Sequence, residues 1–200
     1  MITVCAGSLS IDQIVLNSKE AAYRLGVPVQ SAEQWIEEYA PLVAQEIQPK
    51  YCYTKSLVRI LPTGKLDLGY TRLESKDLQK NLCGCTMAYT FAVTLGLQID
   101  RTIAKLAVTS PGKAFAVDAL ASAYAESAAD TLSQMFQVEI PEGFVLAPRF
   151  SPGYGDLCLN VQPSVLEALE ATKYTGITLG ANLLMTPRKS ITAIQGVKQQ

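Results

Sequence analysis

The stretch TMAYTFAVTL, residues 86–95, decides how the rest of the chain is read. Ten residues rich in aromatic, β-branched and small apolar side chains, with no charge among them, predict a strand buried on both faces. Gly96 ends it, and Ile99 to Val108 reads as a helix. Pro111 then opens a long alanine-rich helix to about Phe136, with proline at the first helical position where its missing N–H costs nothing. On the N-terminal side, Ser18 can cap a helix through Tyr23 that stops at Gly26. Ser31 with Gln34 forms a capping box for a second helix carrying Trp35, Ile36, Tyr39, Leu42, Val43 and Ile47 on one face.

Lys50 to Leu61 has strand-forming residues, Pro62 to Lys65 is a turn, and Leu66, Leu68 and Tyr70 alternate as a returning strand does, which together predict a β-hairpin. Ser75 to Leu82 reads as a short helix. The last quarter reads as a strand from Gly143 to Phe150, a glycine-tyrosine loop, a helix from Ser164 to Thr172, and strands at Ile177 to Met185 and Lys189 to Ile194. The expected fold class is α+β, a largely antiparallel twisted sheet with flanking helices, in a single domain over residues 1–200.

Composition narrows the function. With 200 residues and 48% hydrophobic content, the chain can bury a core without disulfides or metal. Seventeen basic against eighteen acidic residues, with no basic cluster, argue against nucleic acid as a partner. The longest apolar runs fall short of the roughly 20 residues of a membrane span, and the N-terminus lacks the pattern of an export signal. A cytoplasmic protein with no membrane partner is expected. The chain contains no histidine, which removes imidazole-based triads and imidazole metal sites. Five scattered cysteines argue against a disulfide framework. Cys83 and Cys85 could form a redox or metal pair, but buried structural cysteines are the preferred reading.

Two groups of residues suggest ligand chemistry. In the loop Arg149-Phe150-Ser151-Pro152-Gly153-Tyr154-Gly155-Asp156, a forked cation, a tight turn and an aromatic face lie within six residues, as a small zwitterion would require. On the long helix, Asp118, Ser122, Glu126 and Asp130 recur every four residues and line one polar face. A carboxylate there could meet an ammonium or sulfonium. The plainer reading is the solvated side of an amphipathic helix.

Together with Asn17 to Glu20, Leu82 to Cys85, Tyr89 to Arg101 and Leu183 to Ser190, the Arg149 to Asp156 loop resembles the activation domain of cobalamin-dependent methionine synthase, and more closely its stand-alone relatives. The resemblance implies a methyltransferase component that binds S-adenosylmethionine and presents its methyl group to cobalamin bound by a partner. That partner would be a corrinoid-binding protein or a methionine synthase lacking its own activation domain. A flavodoxin-like or ferredoxin-like donor would supply the electron for reactivation.

On this resemblance Arg149 holds the ligand carboxylate, Tyr154 packs or hydrogen-bonds near the methionine or adenosine portion, and Ser151 and Gly153 give backbone contacts. Glu126 is a weaker candidate than these, because the synthase's own ligand-binding acid falls one helical turn earlier, where this chain has Ser122. Arg188 and Lys189 read equally well as an exposed strand end. The chain departs from the synthase in lacking corrinoid, homocysteine and folate modules, in ending soon after the Arg-Lys-Ser strand, and in having Gly155 to Cys158 in place of a proline-rich run. The alternatives are a docking protein that holds a corrinoid protein without binding the nucleoside, and a thiol-redox or metal-binding protein using Cys83 and Cys85.

Overall fold

A computed structural model describes residues 3–200. The chain forms β1 (Val4–Ser8), α1 (Ser18–Leu25), α2 (Val29–Glu46), β2 (Lys50–Leu57), β3 (Arg59–Ile60), β4 (Leu66–Asp67), β5 (Arg72–Leu73) and α3 (Lys76–Asn81). Then follow β6 (Cys85–Thr94), α4 (Leu97–Thr109), α5 (Pro111–Glu139), β7 (Phe144–Leu146), α6 (Gln162–Ala168), α7 (Ala171–Thr175), β8 (Thr178–Leu179), β9 (Met185–Thr186) and β10 (Ser190–Gln199). The main sheet has the order β1-β2-β6-β10-β7 and every pairing in it is antiparallel. The expected α+β class with a largely antiparallel sheet and flanking helices is the one observed.

β6 is central because both of its faces are apolar. Tyr89, Phe91 and Val93 project toward the helices, while Ala88 and Ala92 pack on the opposite side. On the helical side Phe136 of α5 stacks on Tyr89, with ring centroids 4.1 Å apart, and meets Tyr53 at 4.9 Å and Phe91 at 5.7 Å. α5 is buried along most of its length by α1, α2 and α4 on one side and the sheet on the other. Its alanines at 116, 119, 121, 123, 125, 128 and 129 let these neighbours approach closely. The opposite face of the sheet is covered by α6 and α7, and by α3 with the small β3-β4-β5 sheet.

Several expected boundaries shift for physical reasons. Asn17, not Ser18, caps α1; its Oδ1 accepts the N–H groups of Lys19 and Glu20 at 3.0 and 3.2 Å. Gly26 closes the helix at φ +69°, as expected. α2 begins after Pro28, whose carbonyl accepts from Ser31 and Ala32, so the Ser31–Gln34 pair lies inside the helix instead of starting it. The run from Lys50 does not fold back on itself as one hairpin. β2 pairs with β1 and β6, and only Arg59–Ile60 turns back onto Leu66–Asp67.

The helix expected at Ser164 to Thr172 divides into α6 and α7, with Glu170 at φ +46° in the break. The strand expected over Ile177 to Met185 is two short strands joined by a turn, and the last strand runs on to Gln199. β1 went unread in the sequence. Of the five cysteines only Cys52 and Cys85 are buried, so the preferred structural reading fails for Cys5, Cys83 and Cys158. Cys83 lies in the turn after α3, where Gly84 adopts φ +76° and turns the chain into β6. Burial pushes the Cys52 thiol up to about 12.

Among the described residues no helix is long and apolar enough to cross a membrane. No group of three or more potential metal ligands occurs among them either.

Candidate functional site

Arg149 stands where the sheet edge is interrupted. β7 ends at Leu146, Ala147 donates to Gly196 at 2.8 Å, and Phe150 exchanges two hydrogen bonds with Ile194 at 2.9 and 2.8 Å. Pro148, with no N–H, occupies the gap. Arg149 is thereby fixed between two anchor points on β10, and its side chain reaches α5. Its Nη2 lies 3.1 Å from Glu126 Oε2 and 3.1 Å from Asp130 Oδ1, and its Nη1 donates to the Glu126 carbonyl at 3.4 Å.

Glu126 also accepts from Arg24 of α1 at 3.3 Å, so one carboxylate joins α1, α5 and the Arg149 loop. Arg24 in turn pairs with Glu20 one turn earlier at 2.6 Å. The polar stripe on α5 is therefore not a simple solvated face. At its other end Lys189, 8% exposed, donates to Ser122 Oγ at 2.8 Å and the Asp118 carbonyl at 3.1 Å, and pairs with Asp118 Oδ1 at 2.9 Å. The reading of Lys189 as an exposed strand end is corrected, since three acceptors on α5 compensate its burial. Arg188 is exposed, and its backbone N–H donates to Asp100 at 2.7 Å.

The turn after Arg149 is closed by its own backbone. Tyr154 N–H donates to Ser151 O at 3.1 Å, Gly153 N–H to Leu157 O at 2.8 Å, and Leu157 N–H to Tyr154 O at 3.0 Å. Gly153 sits at φ +93°, a region that side chains with a Cβ rarely adopt, which explains glycine there. Tyr154 is 67% exposed, so it is not a core aromatic capping the turn.

Asp156 docks the far end of the loop onto the N-terminus of α3. Its carboxylate accepts from the Ser75 hydroxyl and from the backbone N–H groups of Lys76 at 2.7 Å and Asp77 at 3.2 Å. The Ser75 hydrogen bond, with the two backbone donors, holds the Asp156 carboxyl below its usual range. A carboxyl depressed by folding adds stability above its unfolded pKa, about 3.9, and loses it as pH falls through the lowered value. Asp156→Asn is therefore expected to be less stable than wild type at about pH 7, with the gap closing as pH falls below about 3.9 and through the lowered value. Urea unfolding of both proteins across that range checks this; a gap independent of pH would exclude the ionised form as the source.

These elements enclose a cavity of about 270 Å³. Ser151 and Tyr154 line one side, Glu126 and Arg24 another, and Leu159, Leu183, Leu184 and Met185 give it apolar walls. Gln162, 2% exposed, borders it with its amide nitrogen 2.7 Å from Thr192 Oγ1 and 3.1 Å from Met185 Sδ. A second cavity of about 160 Å³ shares Arg24, Glu126, Ser190 and Ile191 and extends to Arg188 and Lys189.

Glu126, Ser151 and Tyr154 thus border one cavity, with Arg149 held by Glu126 and Gly153 shaping the turn beside it. Sequence reasoning missed Arg24 and Gln162. The Glu20–Arg24 spacing of four signals only a helical ion pair, and nothing local marks Gln162 as buried. Cations, carboxylates and apolar walls side by side can hold a ligand with a charged end and a flat uncharged end.

No protein-family pattern matches the chain, and no curated protein matches it by sequence. Among solved structures, its fold is similar to that in the crystal structure of the MetH reactivation domain bound to AdoHcy. The TM-score is 0.72 and the identity 16%, and the match covers 98% of this chain and 78% of that chain. The chain has an activation-domain-like fold.

Proposed function

We propose that this fold is an S-adenosylmethionine-binding reactivation module. It would support reductive methylation of a corrinoid held by a separate methionine synthase or other corrinoid methyltransferase. One observation carries the reading: almost the whole chain shares its fold with a reactivation domain that binds AdoHcy. The convergence of Glu126, Ser151 and Tyr154 on one cavity supports it.

The residues fit the ligand. The apolar walls suit an uncharged base, Glu126 suits an ammonium, and Arg24 suits a carboxylate, while Arg149 is paired with Glu126 and is not among the residues lining the cavity. The ligand supplies an electrophilic sulfonium methyl group, so the chain's own tasks are to bind, orient and exclude water. None of these tasks calls for imidazole, which the chain lacks.

A second reading is favoured by the pairing of Arg149 with Glu126 and Asp130, which occupies the cation with the chain's own acids. In that case the protein docks on a corrinoid protein without holding the nucleoside.

Calorimetric titration with S-adenosylmethionine, with S-adenosylhomocysteine alongside, tests the proposal. Micromolar binding, about −8 kcal/mol, is expected for the reactivation module. Absence of binding both in the isolated chain and in the presence of a corrinoid partner would leave the docking reading.

A further inference from the structure

A cavity of about 1000 Å³ lies between the β1-β2 edge of the main sheet and the small β3-β4-β5 sheet, and it shares no lining residue with the two cavities near Arg149. Its charged lining is Lys55, Arg59 and Arg72 against one acid, Asp67. The protein as a whole carries a net charge of −1, so this positive lining runs against the average.

Strand register builds the arrangement. Arg59 is directly opposite Asp67, and Asp67 directly opposite Arg72, so all three side chains project from one face of the small sheet. Asp67 cannot satisfy both neighbours. Its Oδ1 accepts the Gly69 N–H at 2.8 Å, and its Oδ2 is 3.7 Å from Arg72 Nε, beyond hydrogen-bond length. Arg59 has no ion pair among the described residues. Lys55 differs, because Glu139 holds its Nζ at 2.8 Å. Two guanidinium forks therefore face the cavity with one partly committed carboxylate between them.

The wall that carries them is preorganised. Gly69 at φ +81° and the Leu68 N–H to Thr71 O bond at 3.1 Å close the turn between β4 and β5. The Tyr70 hydroxyl lies 3.0 Å from Thr90 Oγ1 and ties that turn to β6. Leu68 is fully buried beneath it. The volume is at the upper end for small-molecule sites, roughly 300–1000 Å³.

We propose that this cleft binds a small organic anion bearing carboxylate or phosphate groups, held by Arg59 and Arg72. Both groups match the planar fork of arginine, and neither would displace an established ion pair of Arg59.

The full chain is titrated calorimetrically with inorganic pyrophosphate and, separately, with citrate, at low salt and at about 0.15 M salt. Saturable one-to-one binding of at least one probe is expected, weakened about tenfold or more in Arg59→Ala/Arg72→Ala. Arg101→Ala, which removes an exposed arginine on α4, serves as the control and should bind as wild type does. Binding of pyrophosphate alone assigns a phosphate ligand, and binding of citrate alone a carboxylate. Binding of both shows that charge and not shape selects. No saturable binding of either probe below about 10 mM overturns the proposal. So does binding that the double variant leaves unchanged, or that Arg101→Ala weakens equally. Far-UV circular dichroism confirms that the exposed substitutions leave the fold intact.

Discussion

Arg149→Ala is expected to weaken S-adenosylmethionine binding by at least about 30-fold, corresponding to about 2 kcal/mol or more for losing one partner of a largely desolvated charge pair. The loss has two sources. The variant removes the forked donor that the resemblance to the activation domain assigns to the ligand carboxylate. It also releases Glu126 and Asp130, which lie one turn apart on α5 and would repel each other and any approaching anion. Arg149→Lys should recover only part of the loss, because one ammonium nitrogen can meet both acids as Nη2 does but cannot also reach the Glu126 carbonyl as Nη1 does, nor offer a carboxylate two parallel donors. The side chain of Arg149 is 22% exposed, so the accompanying stability loss should be modest, about 1–2 kcal/mol after allowing for solvent screening. Calorimetry on wild type and both variants reads the effect. If Arg149→Ala binds as tightly as wild type, the ligand carboxylate is held elsewhere, and Arg24 becomes the residue to test.

The largest stability effect should come from Phe136→Ala. Phe136 has no exposed surface and stacks on Tyr89 while also touching Tyr53 and Phe91, so the helical layer meets the sheet at this ring. Truncation removes the buried ring and leaves a void that stiff aromatic neighbours cannot fill. The expected cost is about 3–5 kcal/mol. That is a large share of a typical 5–15 kcal/mol total and would lower the melting temperature by roughly 10 °C. Phe136→Leu should lose far less, since it keeps most of the volume. Urea unfolding midpoints measure both, and a Phe136→Ala midpoint within error of wild type would show that the layers are not held together at this point.

Much of the fold was legible because its main elements carry strong local signals. The uncharged run 86–95 gave the central strand, and Pro111 with the alanine-rich pattern gave α5. What escaped was set by partners distant in sequence. Val4–Ser8 is a strand because β2 lies beside it, and nothing in VCAGS alone demands that. The break at 147–149 that positions Arg149 depends on hydrogen bonds to Gly196 and Ile194, nearly fifty residues away. In the site, the Arg149 loop stood out because glycine, proline and arginine each signal locally. The role of the α5 acids did not, since a four-residue spacing of polar side chains looks the same facing water or facing Arg24, Arg149 and Lys189.

The alanine-lined α5 also determines where this sequence can drift over evolutionary time. Against neighbours packed this closely, enlarging Ala116, Ala121, Ala123, Ala128 or Ala129 by even a methylene would cost on the order of 1–3 kcal/mol. Such positions can exchange only for other small residues or together with a compensating partner. Asp118, Glu126 and Asp130 are constrained differently, through the cations that meet them. Variation along this helix is therefore left mainly to its exposed ends, where Phe115 and Val138 face outward.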